Sequence, residues 1–357
     1  MSPASPSVQT MKQAMICTPT SFEVQEVAIP RIQNNHELLL KTAACGICSG
    51  DLMEWYLEKK VGTVLGHEVV GYAVEVGSEC RHIAPGDLVF CHHHAPCGDC
   101  RFCRAEDPVH CPVWRSSKLD PGGMSEYIRV PAINARQDSF SISDLSPEVG
   151  VFIEPLACSV KAIQRIPDGP RELGIVVGCG VMGLLNILAA KALGTQTIWA
   201  VDPDTTRLSI ASRVGADAVF SPEMMLQNIQ TNKLEPADYA IVGPGIPSVL
   251  SGATQYVRNG GTIIQFTPTP FGQPTALDLT EMYLREVALI ASYSCGPRET
   301  KTAYELLRTS LIDVSPLITH RFQIDEIQSA YNLAKQGSAV LKVLVTFPET
   351  SKEQSLN

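Results

Sequence analysis

Four cysteines within fifteen residues, Cys97, Cys100, Cys103 and Cys111, constrain the fold of this chain more than any other feature. Thiolates so close together can close a tetrahedral shell around one zinc ion, with sulfur ligands at about 2.3 Å and no position left for chemistry. Two ligands separated by two residues chelate from a single tight loop. Gly98 and the flanking Pro96 and Pro112 supply the turn chemistry that such a loop needs. A disulfide knot is the competing use of four cysteines. It suits small secreted domains, whereas this chain has 357 residues and shows no apolar, cleavable leader. The cluster therefore predicts a structural zinc lobe, and it names no reaction.

A chain of 357 residues exceeds one ordinary core, so two domains are expected. No run approaches the roughly 20 apolar residues of a membrane helix. A net charge of −9 argues against nucleic acid or an anionic membrane as partner, since both require a basic face. A small molecule is the expected partner. Only four of the twelve cysteines lie in the tight cluster, which fits a reducing cytoplasm where thiols stay free or bind metal. Residues 1–10 are rich in Ser and Pro and read as a disordered arm, and residues 348–357 read as a tail.

Between residues 14 and 130 the pattern is one of short alternating strands broken by Gly and Pro: 37–44, 67–77, 87–90 and 127–130. That is an all-β, barrel-like half. The character changes after Glu154. A helical pattern over 157–166 leads into an apolar strand at 174–178, and strands then alternate with helices at 197–201, 238–242, 261–266 and 287–292. Such alternation predicts a parallel sheet covered by helices on both faces. Helices over 299–309 and 325–336 and a last strand over 342–347 make a tail too short to fold alone, expected to complete the first half. The expected division is 11–156 with 297–347, and 157–296.

The strand at 174–177 runs into Gly178-Cys179-Gly180-Val181-Met182-Gly183, and a helix follows over 184–193. Glycines in turns are common, so the context carries the argument. Gly178 permits the tight turn, and Gly180 lets the backbone approach a pyrophosphate lying on the helix N-terminus. Gly183 lets helix and strand pack closely. Asp202 ends the next strand, 19 residues after Gly183, where a carboxylate accepts hydrogen bonds from the adenosine ribose. It would repel a 2′-phosphate, so NAD is expected over NADP. Arg207 is either an exposed helix charge or a residue that leaves room for NADP.

A second set of donors lies outside the cysteine cluster: Cys48 and Asp51 in Cys45-Gly-Ile-Cys-Ser-Gly-Asp, His67 and Glu68 in Gly66-His-Glu, and Glu154. One thiolate, one imidazole and one or two carboxylates suit a zinc that keeps a position open. Spacing alone does not bring them together, and a small-residue core turn with a satisfied histidine reads equally well.

Taken together, these segments resemble the zinc-containing branch of the medium-chain dehydrogenase/reductase family, which includes alcohol, sorbitol and threonine dehydrogenases. The resemblance covers roughly residues 11–347. It runs through Ile-Cys-Ser-Gly-Asp (47–51), Gly-His-Glu (66–68), Pro-Gly-Asp (85–87), the cysteine lobe and Gly-Gly-Met-Ser-Glu-Tyr (122–127). Ile-Glu-Pro-Leu-Ala (153–157), the glycine loop, Arg207-Leu and Gly215-Ala-Asp follow in order. It implies an α/β fold, a GroES-like β-barrel catalytic domain plus a Rossmann domain.

The resemblance implies two zinc ions per chain. Cys48 would be the thiolate ligand of the catalytic one and His67 the imidazole ligand, with Asp51 fixing its tautomer. Glu68 and Glu154 match the polyol and threonine dehydrogenase subgroup, and either would supply the carboxylate. The chain departs from the family at Gly50, where a Ser or Thr hydroxyl usually relays the substrate proton. Ser49, one place earlier, or a water held by Glu154 or Glu68 would take that part. Trp55, Tyr56 and His93 are expected in the substrate pocket, with Glu54 adding polarity. Strand alternation turns His93 away from its neighbours His92 and His94.

The implied reaction is oxidation of a secondary alcohol by NAD, with a polyol or cyclitol favoured and a hydroxy amino acid as the alternative. A zinc-free quinone or enoyl reductase, or a non-catalytic dinucleotide-binding protein, would have no reason to keep both ligand sets. A homodimer or homotetramer is implied.

Overall fold

The computed structural model describes residues 9–169, 171–337 and 339–348. The expected arm and tail fall outside the described residues, except for Gln9, Thr10 and Pro348, and Thr10 already opens the first strand. The chain divides into two compact units, one running to Glu154 and resuming at Ser315, the other Pro155–Val314. The return therefore begins at Ser315 and not at residue 297, because helix Pro297–Arg308 belongs to the second unit. That helix buries Ala303, Leu306 and Leu307. Its apolar stripe predicts a covered face, but the stripe alone does not say which core covers it.

The first unit carries strands β1 (Thr10–Thr18), β2 (Ser21–Ala28), β3 (Leu38–Gly46), β4 (Glu68–Val76), β5 (Leu88–Cys91), β6 (Tyr127–Val130) and β7 (Ser139–Ser141). The second carries β8 (Leu173–Val177), β9 (Thr197–Val201), β10 (Ala218–Phe220), β11 (Ala237–Val242), β12 (Val257–Gln265) and β13 (Ala288–Ala291). Strands β14 (Ile318–Phe322) and β15 (Lys342–Thr346) return to the first.

β1 and β2 form an antiparallel ribbon, and the other strands of the first unit form a seven-stranded sheet, six of them in the order β14-β15-β3-β4-β5-β7 and the seventh, β6, paired to β3 off that path. β3 organises it. Its residues 38–41 pair with β6, residues 44–46 pair with β15, and its other edge pairs with β4. A strand so enclosed is buried along nearly its whole length. Leu38, Leu40, Val69, Val89, Ile128, Val343 and Val345 join one core around it. The consequence is functional: the chain leaving β3 and the chain entering β4 are fixed side by side.

The second unit is a six-stranded parallel sheet in the order β10-β9-β8-β11-β12-β13. Strand order reverses between β8 and β11, and a doubly wound sheet binds ligands beyond the carboxyl ends of strands at such a point. Ile175, Val177, Val201, Ala240 and Val242 fill its core. Such near-continuous apolar strands are what burial on both faces requires.

Candidate metal and dinucleotide sites

The cysteine lobe brings its four sulfurs within 4.8 Å of one another. Sγ of Cys103 lies 3.5 Å from that of Cys100 and 3.9 Å from that of Cys97. A tetrahedron with 2.3 Å bonds has edges of about 3.8 Å, so the spacing fits one zinc without rearrangement. The loop backbone prepares two of the thiols. Asp99 and Cys100 donate N–H groups to Cys97 Sγ, at 3.4 and 3.3 Å, and Cys97 donates to Cys111 Sγ at 3.4 Å. The first two bonds hold the Cys97 thiol below its usual range; burial pushes Cys111 up, but the N–H groups of Cys97 and Trp114 and the thiols of Cys97 and Cys100 outweigh it and take Cys111 down to about 6. Trp114 and Val109 pack the lobe from inside.

Cys48 follows β3, and His67 and Glu68 stand at the start of β4. The antiparallel pairing of Gly46 with Glu68 is what makes them neighbours. Donor atoms of Cys48, His67 and Glu68 lie within 4.8 Å of one another. Glu68 is buried, and its Oε2 accepts a 2.6 Å ion pair from Lys342 Nζ, both side chains being wholly shielded from solvent. Oε1 has no partner. A buried carboxylate oxygen left open beside a thiol and an imidazole is what a metal ligand looks like before the metal is added.

Asp51 Oδ2 stands 3.6 Å from His67 Nδ1, near enough for its charge to act and too far for a hydrogen bond. Burial alone would lower the His67 pKa, but the charges of Asp51 and Cys48 raise it well above the ordinary value. Burial raises the Cys48 thiol, the Asp51 carboxyl and the Glu154 carboxyl. Like charges crowded into a dry site account for the rest, and a divalent cation would relieve them. Glu154 is buried but lies outside the 4.8 Å group of Cys48, His67 and Glu68, and its charge couples to the last two.

Ser49 is exposed at the first position of the 3-10 turn Ser49–Leu52, and Gly50 N donates to Cys48 Sγ at 3.3 Å. Trp55 and Tyr56 are part-exposed on helix Glu54–Glu58, their rings 6.0 Å apart and lying under the ammonium groups of Lys59 and Lys60. Glu54 is exposed on the same helix.

β5 ends at Cys91, so His92, His93 and His94 are not strand residues and the expected alternation does not govern them. Their rings instead touch in series, and the His93 ring centroid lies 4.9 Å from that of His67.

In the second unit Gly178 has φ +89°, a left-handed conformation that glycine adopts without strain. A Cβ on Gly183 would stand 1.8 Å from Gly178 O, so helix Val181–Ala192 approaches the loop as closely as the sequence predicts. Gly180 is its N-cap, Val181 is buried and Met182 is half-buried. Asp202 Oδ2 accepts the Cys179 N–H at 2.7 Å and Oδ1 accepts that of Asp204 at 2.9 Å. The carboxylate thus clamps the glycine loop while keeping lone pairs for a ligand. Arg207 Nη1 lies 4.0 Å from it, and Arg207 Nε is buried without a partner.

Sequence reasoning missed three residues. Lys342 opens the strand expected over 342–347, and a lysine within Leu-Lys-Val-Leu-Val is the signal of a buried charge needing a partner. Asn134 and Asp138 carry no such signal. Asn134 Nδ2 donates to the carbonyls of His92 and His93 at 3.0 and 3.1 Å, and Asp138 Oδ2 pairs with His92 Nδ1 at 2.9 Å.

Residues 34–137 match the alcohol dehydrogenase GroES-like domain, and residues 181–309 match the zinc-binding dehydrogenase family. A sorbitol dehydrogenase of Bacillus subtilis is 31% identical over 269 residues, 71% of this chain and 74% of that protein. An L-threonine 3-dehydrogenase of Pyrococcus abyssi is 31% identical over 251 residues, covering 68% and 71%. Among solved structures, a putative zinc-binding dehydrogenase of Sinorhizobium meliloti bound to NADP superposes with a TM-score of 0.84. It is 27% identical and covers 95% of this chain and 99% of its own.

Proposed function

We propose, of a chain that belongs to the zinc-dependent medium-chain dehydrogenase family, that it oxidises a polyol or cyclitol at a secondary hydroxyl, with NAD as acceptor and two zinc ions per chain. The observation that carries this reading is the grouping of donor atoms of Cys48, His67 and Glu68, together with a buried Glu68 Oε1 that has no hydrogen-bond partner. Bound there, zinc supplies the Lewis acidity that lowers the pKa of a substrate hydroxyl, and NAD supplies the site for the hydride.

The remaining work belongs to the chain's own residues. Cys48 Sγ, a His67 nitrogen and Glu68 Oε1 hold the catalytic ion, and Cys97, Cys100, Cys103 and Cys111 hold the structural one. Lys342 fixes Glu68 by its other oxygen, and Asp51 orients His67 by charge. Glu154, whose carboxyl burial pushes upward, takes up the substrate proton, a task that Gly50 has no hydroxyl to perform. Gly178, Gly180, Val181, Met182 and Gly183 cradle the pyrophosphate, and Asp202 accepts the ribose hydroxyls.

Two further expectations have support. Exposed Leu279, Tyr283 and Leu284, together with the open edge strand β13, favour a homodimer or homotetramer. No cysteine among the described residues is paired, and no helix among them is long and apolar enough to cross a membrane; a reducing cytoplasm suits both. Threonine is the second reading, favoured by the identity to the Pyrococcus enzyme.

Initial rates of NAD reduction with sugar alcohols, cyclitols and threonine separate the two readings. The expected result is turnover of a polyhydroxy substrate; turnover of threonine alone would replace it. The cofactor assignment has its own check in Asp202→Ala. Loss of a charge-assisted hydrogen bond is worth about 1.5–3 kcal/mol, so KM for NAD should rise roughly tenfold or more while KM for NADP stays close to its starting value. An unchanged preference would leave Asp202 as a clamp on the glycine loop alone.

A further inference from the structure

We propose that His92, held by Asp138, receives the substrate proton from Glu154, so that these three buried side chains form a proton path. The inference rests on the reading above, in which Glu154 takes up that proton, and adds the station that follows. Gly50 offers no hydroxyl for a relay. A carboxyl that is only 5% exposed, as Glu154 is, has little water to hand a proton to.

All three residues belong to the first unit. A ring nitrogen of His92 lies within 4.8 Å of a Glu154 carboxylate oxygen, a gap closed by a swing of the carboxylate or by one bridging water. His92 Nδ1 stands 2.9 Å from Asp138 Oδ2, and both side chains are wholly shielded from solvent. Backbone and ring are tied to the same segment: the His92 N–H donates to the Asp138 carbonyl at 2.9 Å, and Asn134 Nδ2 donates to the His92 carbonyl at 3.0 Å. The rings of His93 and Trp114 flank it edge to face, with centroids 4.8 and 6.4 Å away.

A carboxylate on Nδ1 fixes the tautomer in which Nε2 accepts, and it stabilises the imidazolium formed when a proton arrives. The substrate O–H bond breaks as an O–H bond forms on Glu154. That bond breaks in turn as an N–H bond forms at His92 Nε2, and Glu154 is again a carboxylate. The electron pair of the carbinol C–H bond has meanwhile passed to NAD as hydride. When product gives way to water, the proton retraces the path and leaves. Asp138 stays ionised throughout and is a positioning residue. A pair kept only to lock residues 134–138 in place would not need an imidazole, because any donor matched to Asp138 would serve.

The test uses the zinc-loaded protein with NAD and two probes, D-sorbitol and myo-inositol, for the wild type, His92→Gln, Asp138→Asn, Glu154→Gln and the double variant His92→Gln/Glu154→Gln. Zinc content and thermal midpoint are checked on each preparation. His92→Gln keeps a donor for Asp138 and cannot carry a proton, so kcat should fall about a hundredfold with KM within about threefold of its starting value. Proton transfer then becomes the slow step. The solvent deuterium isotope effect on kcat should rise, and the effect of deuterium on the oxidised carbon should shrink. Asp138→Asn, which keeps the ring, should act in the same direction. Groups in series are not additive, so the double variant should be little slower than Glu154→Gln alone.

A glutamine variant with wild-type kcat, a loss of rate with both isotope effects unchanged, or a double variant whose losses multiply would overturn the path. If the wild type oxidises neither probe, the polyol reading fails, and the path is decided by NMR of zinc-loaded protein carrying nitrogen-15 histidine. The Nε2 signal that vanishes in His92→Gln should shift in Glu154→Gln; an unmoved signal sinks the proposal.

Discussion

Replacing Cys48 or His67 by alanine will lower turnover by about a thousandfold or more while leaving NAD affinity near its starting value. The size follows from what each removes. Lewis-acid stabilisation is worth several kcal/mol of the barrier, and each 1.36 kcal/mol is a factor of ten. Neither variant leaves a donor set that can hold the ion in the same way, because the group of Cys48, His67 and Glu68 has three members. The separation from NAD binding follows from chain organisation. The glycine loop belongs to Pro155–Val314, whose core of Ile175, Val201 and Val242 includes no residue near Cys48 or His67 in sequence. Steady-state rates and nucleotide fluorescence titration on one preparation check both halves. Lost NAD affinity would signal misfolding, and retained turnover would remove these residues from the reaction.

The second large effect is expected at a residue that touches no substrate. Lys342→Met strips the counter-charge from Glu68, both side chains being wholly buried. Breaking a buried pair from one side costs about 3–5 kcal/mol, because the surviving charge is left without compensation. The Lys342 pKa responds to the same pairing: burial lowers it, and the charges of Glu68 and Cys48 raise it further than burial lowers it. Chemical denaturation of the zinc-free protein should show this loss, because a bound cation would offset part of the Glu68 charge, and the loaded variant should retain zinc more weakly. The double variant Lys342→Met/Glu68→Gln should recover much of the stability and none of the activity. A single variant costing under about 1 kcal/mol would mean that Glu68 finds another partner.

Periodicity and motif order made much of this architecture legible in advance. The strand at 197–201 appears at those residues, and the loop after β8 has the positive φ and the close approach that its glycines imply. Short-range chemistry is legible because it acts over a few residues. Four cysteines in one loop can only converge, whereas Cys48 and Glu68 meet through a β3–β4 register that no local pattern reveals. The resemblance supplied that convergence before the geometry did.

Elsewhere the sequence was silent for identifiable reasons. β10 is three half-buried residues, too short for a period to emerge. Helix Pro297–Arg308 has a clear apolar stripe that does not name its partner. The run His92–His94 looks like an extension of β5, but the backbone N–H of His92 donates to the Asp138 carbonyl and the strand stops. That change of course brings the His93 ring beside His67, and it depends on Asn134 and Asp138, more than forty residues away in the chain.

The most direct test measures NADH formation from a panel of polyols, cyclitols, threonine and simple secondary alcohols, with zinc content determined on the same preparation before and after chelation. The account predicts two zinc ions per chain and turnover of a polyhydroxy substrate that is lost when one ion is stripped and restored when zinc is returned. Turnover that persists after the ion held by Cys48, His67 and Glu68 is gone would contradict it.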